Sequence, residues 1–263
     1  MYREGHCSHF QSLPLSVLIT YTMTLLVLGT GYAFGMIHVF SSHAGRDGDP
    51  GLSVTDLMVA YSGSASDTRL EAALKGPMQK MLPDGERNVI AAWVRDQANE
   101  PEYEVAVAPI IAKRCIACHD GSNPHVPSLN TYEETLQLVE VDTGMDIFTL
   151  VRVSHIHLFG LTFIFFITSS IFCHAYMRHI WIKCLVIAIP FAAITADIAS
   201  WYLTKVFTGF AWIVLLSGIF MGASFAIQWA VSMYQMWWYR LPPEIRERGS
   251  MLPGASQGAE IRE

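Results

Sequence analysis

Apolar residues are concentrated in four long runs, which are separated by more polar segments. The runs cover residues 13–40, 149–175, 182–204 and 209–238. Each is at least as long as the roughly 20 residues that a helix needs to cross a bilayer. The pattern therefore predicts four transmembrane helices, flanked by the polar tails 1–12 and 239–263.

The first run has a second interpretation, because Ser42-His43-Ala44 is typical of a signal-peptide cleavage site. The apolar stretch before it has no Lys, Arg, Asp or Glu over 28 residues, from Leu13 to Phe40. A signal peptide has an apolar region of only about 7–15 residues. An uncleaved anchor is therefore favoured over a cleaved signal.

Residues 41–148 differ from the runs in being polar and acidic. They contain eight basic and seventeen acidic residues, a net charge of −9. Helical periodicity and caps predict five short helices: Val54–Tyr61, Asp67–Lys75, one after Pro83 that carries Trp93, one through Ile110 and Ile111, and one from Thr131 with a Thr131–Glu134 capping box. We therefore predict an all-α chain, with a small helical domain between the first and second membrane helices.

The sequence Cys115-Ile-Ala-Cys118-His119 carries the clearest chemistry of this domain. Two thiols three positions apart, followed at once by histidine, are the attachment motif of a c-type haem, with the histidine as proximal iron ligand. A zinc half-site and a redox dithiol are the alternatives. Zinc needs a second ligand pair, and the dithiol needs a βαβ context, and the domain offers neither pattern.

The distribution of basic residues predicts the orientation of the chain. With both tails in the cytoplasm, the cytoplasmic segments hold Arg3, Arg178, Lys183, Arg240, Arg246, Arg248 and Arg262. The opposite short turn holds only Lys205. Basic residues are enriched on the cytoplasmic side, so we expect residues 41–148 in the periplasm of a bacterial inner-membrane protein. Haem attachment takes place outside the cytoplasm, and the two predictions agree.

The domain resembles the c-type cytochrome family over roughly residues 65–145. A helix ends in the motif, and a loop with Pro124, Pro127 and Leu129 follows. The segment from Leu70 to Val94, with its methionines, Pro83 and Trp93, is similar to the family's closing segment, although it precedes the motif. The resemblance implies one covalent haem c held by a cytochrome fold in permuted order.

The same resemblance implies a methionine as the sixth iron ligand. Met78 and Met81 are the candidates, and a thioether ligand raises the reduction potential relative to a second histidine. Met145 and His125 are alternatives after the motif, and His43 would give a bis-histidine haem. Either methionine has an ordinary alternative role in core packing or at the surface.

Four ionisable residues fall near the outer ends of the membrane runs: His38, His155, His157 and Asp197. Ionisable groups inside a membrane are costly, and they are candidates for binding a metal or a quinol. The competing interpretation is an Arg152–Asp197 ion pair with histidines hydrogen-bonded between helices.

Two glycine pairs have the spacing that permits close helix approach, namely Gly31 with Gly35 and Gly218 with Gly222. We therefore expect neighbouring helices to pack on these faces.

The combined pattern predicts a membrane-anchored c-type cytochrome that carries single electrons at the periplasmic face of a respiratory or photosynthetic chain. An electron-transfer protein is favoured over a stand-alone catalyst. Its expected partners are membrane redox complexes and a basic soluble electron carrier, attracted by the acidic domain; nucleic acid is not expected. Two alternatives stay open: a quinol-oxidising or metal-dependent redox subunit, and a structural or assembly subunit of a larger membrane complex.

Overall fold

The computed structural model of the chain describes residues 9–47, 49, 51–64, 66–124 and 126–241. Over these ranges the chain is helical and contains no strand, and its one β-bridge joins Thr68 to Val141. Four helices are long and apolar enough to cross a membrane. The predictions of an all-helical chain and of four membrane spans are therefore confirmed.

The long helices are α1 (Leu15–His43), α8 (Ile147–Phe172), α9 (Ile180–Thr204) and α10 (Ala211–Trp237), the last preceded by the 3₁₀ turn Thr208–Phe210. The short helices are α2 (Val54–Ser62), α3 (Arg69–Lys75), α4 (Asp84–Arg95), α5 (Glu100–Glu102), α6 (Ala108–Arg114) and α7 (Tyr132–Leu136). The chain divides into two compact units. One contains residues 1–31, 160–193 and 220–263, and the other contains 32–159 and 194–219.

The first unit is held together by polar side chains that satisfy backbone groups within apolar helices. Pro190 has no N–H, so the carbonyl of Val186 lacks its usual partner one turn later in α9. Ser224 Oγ and Gln228 Nε2 of α10 donate to this oxygen instead, at 2.5 and 3.1 Å. Ser169 of α8 donates to the amide oxygen of Gln228 at 3.0 Å. Proline is tolerated here because side chains of a neighbouring helix complete the hydrogen bonding.

A glycine also governs helix packing in this unit. Trp229 Nε1 donates to the carbonyl of Leu25 at 2.8 Å, and a Cβ on Gly29 would lie only 2.9 Å from that nitrogen. By contrast, a Cβ on Gly31, Gly35 or Gly218 would meet no atom within 4 Å. Within the chain, the predicted close approach is not found at these three glycines, of which Gly35 and Gly218 belong to the second unit. In the first unit the close contact forms at Gly29.

Lys183 caps the end of α8 from the first turn of α9. Its ammonium donates to the carbonyls of Cys173 and Ala175 at 2.5 and 2.8 Å. These oxygens follow the last helical residue, Phe172, and have no partner within α8. The cap explains why α8 ends three residues before the end of the apolar run.

The second unit contains a polar domain with its own apolar core. Its buried centre is Trp93, Val107, Ile90, Ile111, Tyr103, Leu70, Leu74, Leu82, Leu129 and Ala98. Capping boxes start α2 at Ser53 and α3 at Thr68. The predicted box at Thr131 is half correct. Thr131 accepts from the N–H of Glu134, but the Glu134 carboxylate accepts from Ser128 Oγ and the Asn130 N–H at 2.6 and 2.8 Å.

The helix that leads to the cysteine motif has an irregular turn. Residues Tyr103–Val107 form a π turn between α5 and α6, and Pro109 is the second residue after it. A proline lacks the N–H for an α-helical bond and its ring crowds the carbonyl four residues earlier, here that of Val105. The wider π turn accommodates the proline within a helical segment.

Lys205 joins two backbone segments of the second unit through three carbonyls. Its ammonium donates to the carbonyls of Tyr61, Thr143 and Met145 at 2.9, 2.9 and 2.8 Å. Three carbonyls fill all three donors of the ammonium group. The turn after α9 is thereby fixed to the end of α2 and to the segment that enters α8.

Candidate functional site

The cysteine motif continues the end of α6 as a short turn. The N–H groups of Cys115 and His119 donate to the carbonyls of Ile111 and Cys115 at 2.8 and 3.0 Å. Both motif cysteines are free thiols; Cys115 is half-buried against the core of the polar domain, whereas Cys118 is exposed. The turn therefore presents one thiol from the core edge and one from the surface.

The loop after the motif fixes the orientation of His119. Its Nδ1 lies 2.7 Å from the carbonyl oxygen of Pro127. A carbonyl only accepts, so in the neutral imidazole Nδ1 carries the proton and Nε2 the lone pair. The N–H of Leu129 also donates to the carbonyl of His119 at 3.0 Å. The loop thus sets both the tautomer and the direction of the imidazole, as is usual for a metal-binding histidine.

The surroundings of Cys115 disfavour a redox dithiol. Burial, and secondarily the carboxylate of Glu86, raise the pKa of the Cys115 thiol above its ordinary value. A catalytic dithiol requires a thiolate stabilised at neutral pH, and hence a lowered pKa. Zinc finds no ligand set either, because no group of three or more His, Cys, Asp or Glu side chains in the described ranges is placed to hold a metal ion.

Met78 and Met81 precede α4, and ion pairs connect the start of α4 to the motif. Glu86 accepts from Arg114 Nε and Nη2 at 2.8 and 3.1 Å, and Lys113 lies 3.9 Å away. These hydrogen bonds lower the pKa of Glu86, and Arg114 directly precedes Cys115. The segment between α3 and α4 that contains Met78 and Met81, here named the methionine loop (residues 76–83), is therefore held beside the turn of the cysteine motif. It lies thirty or more residues earlier in the chain.

The two methionines differ in exposure. Met78 is half-buried and packs against the same core that receives Cys115 and Ile116. Met81 is 62% exposed. Met78 therefore lies at the edge of the core, and Met81 lies at the surface. These are the two ordinary roles that the sequence allowed for a methionine in this segment.

The three other ligand candidates have distinct positions. The Met145 carbonyl accepts from Lys205, which places this residue at the start of α8. His43 Nδ1 donates to the carbonyl of Val39 at 3.2 Å, and its ring lies 6.4 Å from that of Tyr61. His125 lies outside the described residues.

A network of aromatic side chains packs against the helical segment that leads to the cysteine motif. Trp93 of α4 packs on Tyr103 with ring centroids 5.5 Å apart, and Tyr103 contacts Tyr132 of α7 at 5.4 Å. Trp93 Nε1 donates to the carbonyl of Asn99, and the Tyr132 hydroxyl donates to that of Ala98, each at 2.9 Å. Helix α4, the π turn that leads into α6, and α7 therefore share one core.

Four ionisable residues lie near the ends of the membrane helices and are here named the membrane cluster (His38, His155, His157 and Asp197). Their side chains have different environments. His38 and His155 are exposed, and His155 packs on Phe159 with centroids 5.0 Å apart. His157 Nδ1 donates to the carbonyl of Val153 at 2.9 Å, and its ring lies edge-on to Trp201 at 5.3 Å. Asp197 is buried, one turn before Trp201 in α9.

The expected Arg152–Asp197 ion pair is wrong, because Arg152 is exposed on α8 and no ion pair joins these two described residues. The hydrogen bond expected between helices is not formed by His157 either, since its Nδ1 donates to the carbonyl of Val153 in its own helix. The ring of Trp201 stacks on Tyr61 at 5.7 Å. Its indole N–H is buried beside the Asp197 carboxylate and makes no hydrogen bond of normal geometry among the described residues.

Sequence reasoning missed several residues that shape these sites. Pro127 was noted as a loop proline, but its carbonyl cannot be assigned to His119 from spacing alone. Glu86 lies 28 residues from Arg114, so no local pattern reveals their pairing. Trp201 is the exception, since its position four residues after Asp197 places both on one face of a helix.

Comparison with known proteins places only the membrane part of the chain. The family model Aq_1264_TM, described as a transmembrane helical domain, matches residues 143–243. This range contains α8, α9 and α10, and the match supports a multi-pass membrane protein. No curated protein and no solved structure matches the chain.

Proposed function

We propose that the chain is a membrane-anchored c-type cytochrome that carries single electrons through one haem bound covalently to Cys115 and Cys118. The observation that supports it most is the fixed tautomer of His119, whose Nδ1 donates to Pro127. This leaves Nε2 as the nitrogen for iron, directly after two free thiols. Bound haem supplies a reversible one-electron iron couple.

The residues around the motif would set the properties of that couple. Cys115 and the core behind it provide an apolar boundary, which lowers the local dielectric. His119 is held by two backbone hydrogen bonds, so its orientation is fixed before a metal binds. The ion pairs of Glu86 hold the methionine loop near the motif, which supports the permuted cytochrome order.

We place the protein in a bacterial inner membrane with the domain 41–148 in the periplasm and both tails in the cytoplasm. The excess of basic residues in the tails and in the turn between α8 and α9 supports this orientation. Lys205, the one basic residue of the opposite turn, uses all three donors on backbone carbonyls. The net charge of −9 supports a basic soluble electron carrier as a partner, alongside membrane redox complexes.

Paired methionine variants test the sixth ligand. If Met78 holds the iron, Met78→Ala should abolish the far-red band of thioether-bound ferric haem and lower the reduction potential, because the thioether stabilises ferrous iron. Met81→Ala should then leave both unchanged, and the reverse result assigns Met81. Loss of the band in neither variant would contradict methionine ligation in this loop.

Quinol oxidation is a second candidate function, and the buried N–H of Trp201 beside Asp197 favours it. A quinol hydroxyl or quinone carbonyl would satisfy this donor, and the carboxylate would accept a proton. Trp201→Phe and Asp197→Asn should then slow quinol-driven haem reduction while leaving haem content unchanged. Equal rates in wild type and both variants would eliminate this function.

A further inference from the structure

A cavity of about 760 Å³ lies where the end of α1 meets α3 and α4 of the polar domain. It is separate from the cysteine motif and from the membrane cluster, since none of those residues lines it. Its lining includes Phe40 and Ala44 from α1 and its end, Leu74 from α3 and Ala91 from α4. The cavity therefore opens at the level where a membrane helix ends and the domain begins.

The cavity concentrates positive charge in an acidic domain. Five of the eight basic residues of segment 41–148 line it: Arg46, Lys75, Lys80, Arg87 and Arg95. The acidic residues among its described lining are Asp47, Asp49 and Glu71. The lining residues carry a net charge of +2, against −9 for the whole segment, although Lys75 and Arg87 also pair with Asp67 and Asp84 outside the lining. The charge of the lining therefore favours an anion.

Several of these cations have unused donors. Arg46 Nε is buried and has no hydrogen-bond partner in the described part of the chain, although Arg46 Nη2 donates to the carbonyl of Ser42 at 3.1 Å. Lys80 is exposed and forms no ion pair within the described ranges. Arg95 only reaches Glu71 at 3.7 Å. The exposed ammonium of Lys80 and the exposed guanidinium of Arg95 can donate to a phosphate oxygen. Arg46 Nε is buried, so Arg46 contributes its positive charge rather than this donor.

The remaining cations are partly committed and shape the site. Lys75 pairs with Asp67 at 2.8 Å, and Arg87 bonds to Asp84 and to the carbonyl of Gln79. The open donors are therefore those of Lys80, just before α4, and of Arg95, at the end of α4, and the charge of Arg46 adds to them from the end of α1. The cavity that these residues line is large enough for a phosphate group.

The rim of the cavity is apolar on the side of α1. Ile37 and Phe40 line it and are 64% and 50% exposed, and both belong to the membrane-spanning helix. A ligand that reaches both parts must combine an anionic head with apolar chains. We infer that the cavity binds the phosphate headgroup of an anionic phospholipid, whose acyl chains lie along the exposed face of α1.

The test uses the full-length protein in nanodiscs of phosphatidylglycerol with phosphatidylcholine, or of phosphatidylcholine alone, and counts retained lipid by native mass spectrometry after transfer to detergent. Wild type should retain phosphatidylglycerol selectively. Lys80→Gln and Arg46→Gln should each weaken retention roughly fivefold, the factor expected for one cation near a membrane surface. Lys113→Gln is the matched control, because it removes one charge from the same domain outside the cavity.

Titration of the same protein with inorganic phosphate separates the two sources of this chemistry. The inference requires phosphate alone to bind far more weakly than the lipid, since it lacks the contact with Ile37 and Phe40. Equal retention of the two lipids, equal loss in the Lys113 control, or phosphate binding as tight as that of the lipid would each overturn the inference.

Discussion

The cysteine motif and the membrane cluster both gather residues that can bind a metal, but the chain prepares them differently. At the motif, the donors follow one another in sequence, and a loop carbonyl fixes the tautomer of His119. In the membrane cluster, the donors come from three helices, and His38 and His155 are each exposed on the surface of their own helix. The tautomer of His157 is likewise set, by the carbonyl of Val153, but only at the motif does such an imidazole directly follow two free thiols. Local spacing thus brings candidate ligands together more closely than a shared depth in the membrane does.

Removing the motif thiols should produce the largest effect. Cys115→Ser combined with Cys118→Ser leaves haem without its covalent links, so haem staining on a denaturing gel should disappear. Cys184→Ser is the control, since it also removes an exposed thiol. Haem that stays bound to the denatured double variant would contradict the assignment of these cysteines.

Lys205→Met should lower the unfolding free energy of the protein more than Lys113→Met does. Losing the three bonds that hold α2 and the entry to α8 should cost about 2–3 kcal/mol of unfolding free energy. Lys113→Met should cost less than about 1 kcal/mol, because it removes only an exposed ion pair of 3.9 Å. Thermal unfolding in one detergent measures both. Equal melting temperatures of the two variants would contradict the stabilising role of the three Lys205 hydrogen bonds.

Alkaline pH should have a smaller effect, through Tyr61 beside the membrane cluster. Burial, and secondarily the Asp197 carboxylate, raise the pKa of Tyr61 far above its ordinary value. Its contribution to stability is complete below the ordinary tyrosine pKa of about 10 and is lost as pH rises beyond it, because only the unfolded chain then releases the proton. Tyr61→Phe should flatten the decline of melting temperature above that pH. An unchanged slope would exclude Tyr61 as its source.

The membrane cluster should give no effect on metal content. Asp197→Asn and His155→Ala should leave the metal composition of the purified protein as it is in wild type, since the described residues offer no set of three ligands. Elemental analysis per polypeptide checks this. Loss of a metal other than haem iron in either variant would restore a metal-dependent function.

The spans and most short helices could be predicted because hydropathy and capping act locally. Leu13–Phe40 has the composition of a membrane helix whatever it contacts, and Ser53 caps α2 through a residue three positions away. The packing face of α1 could not be predicted in this way. Gly29 and Gly31 look alike in sequence, and only the position of Trp229 makes Gly29 the point of contact.

The candidate site divides along the same line. Cys115, Cys118 and His119 were identified by spacing, whereas the hydrogen bond to Pro127 depends on how a loop folds back. Arg152 and Asp197 have opposite charges at a similar depth, but the faces of their helices keep them apart. Contacts between distant segments depend on helix rotation and loop path, which one sequence does not encode locally.

A pyridine haemochrome spectrum of the full-length protein, produced with haem-attachment machinery, tests the proposed cytochrome most directly. The protein is first extracted with acidified acetone, which removes haem that is not covalently bound. We expect the haem to stay with the polypeptide and to give the spectrum of haem c, at one haem per chain, because both thiols and the oriented His119 are in place. Haem that extracts into the acetone with a b-type spectrum, or a protein without haem, would contradict the proposal.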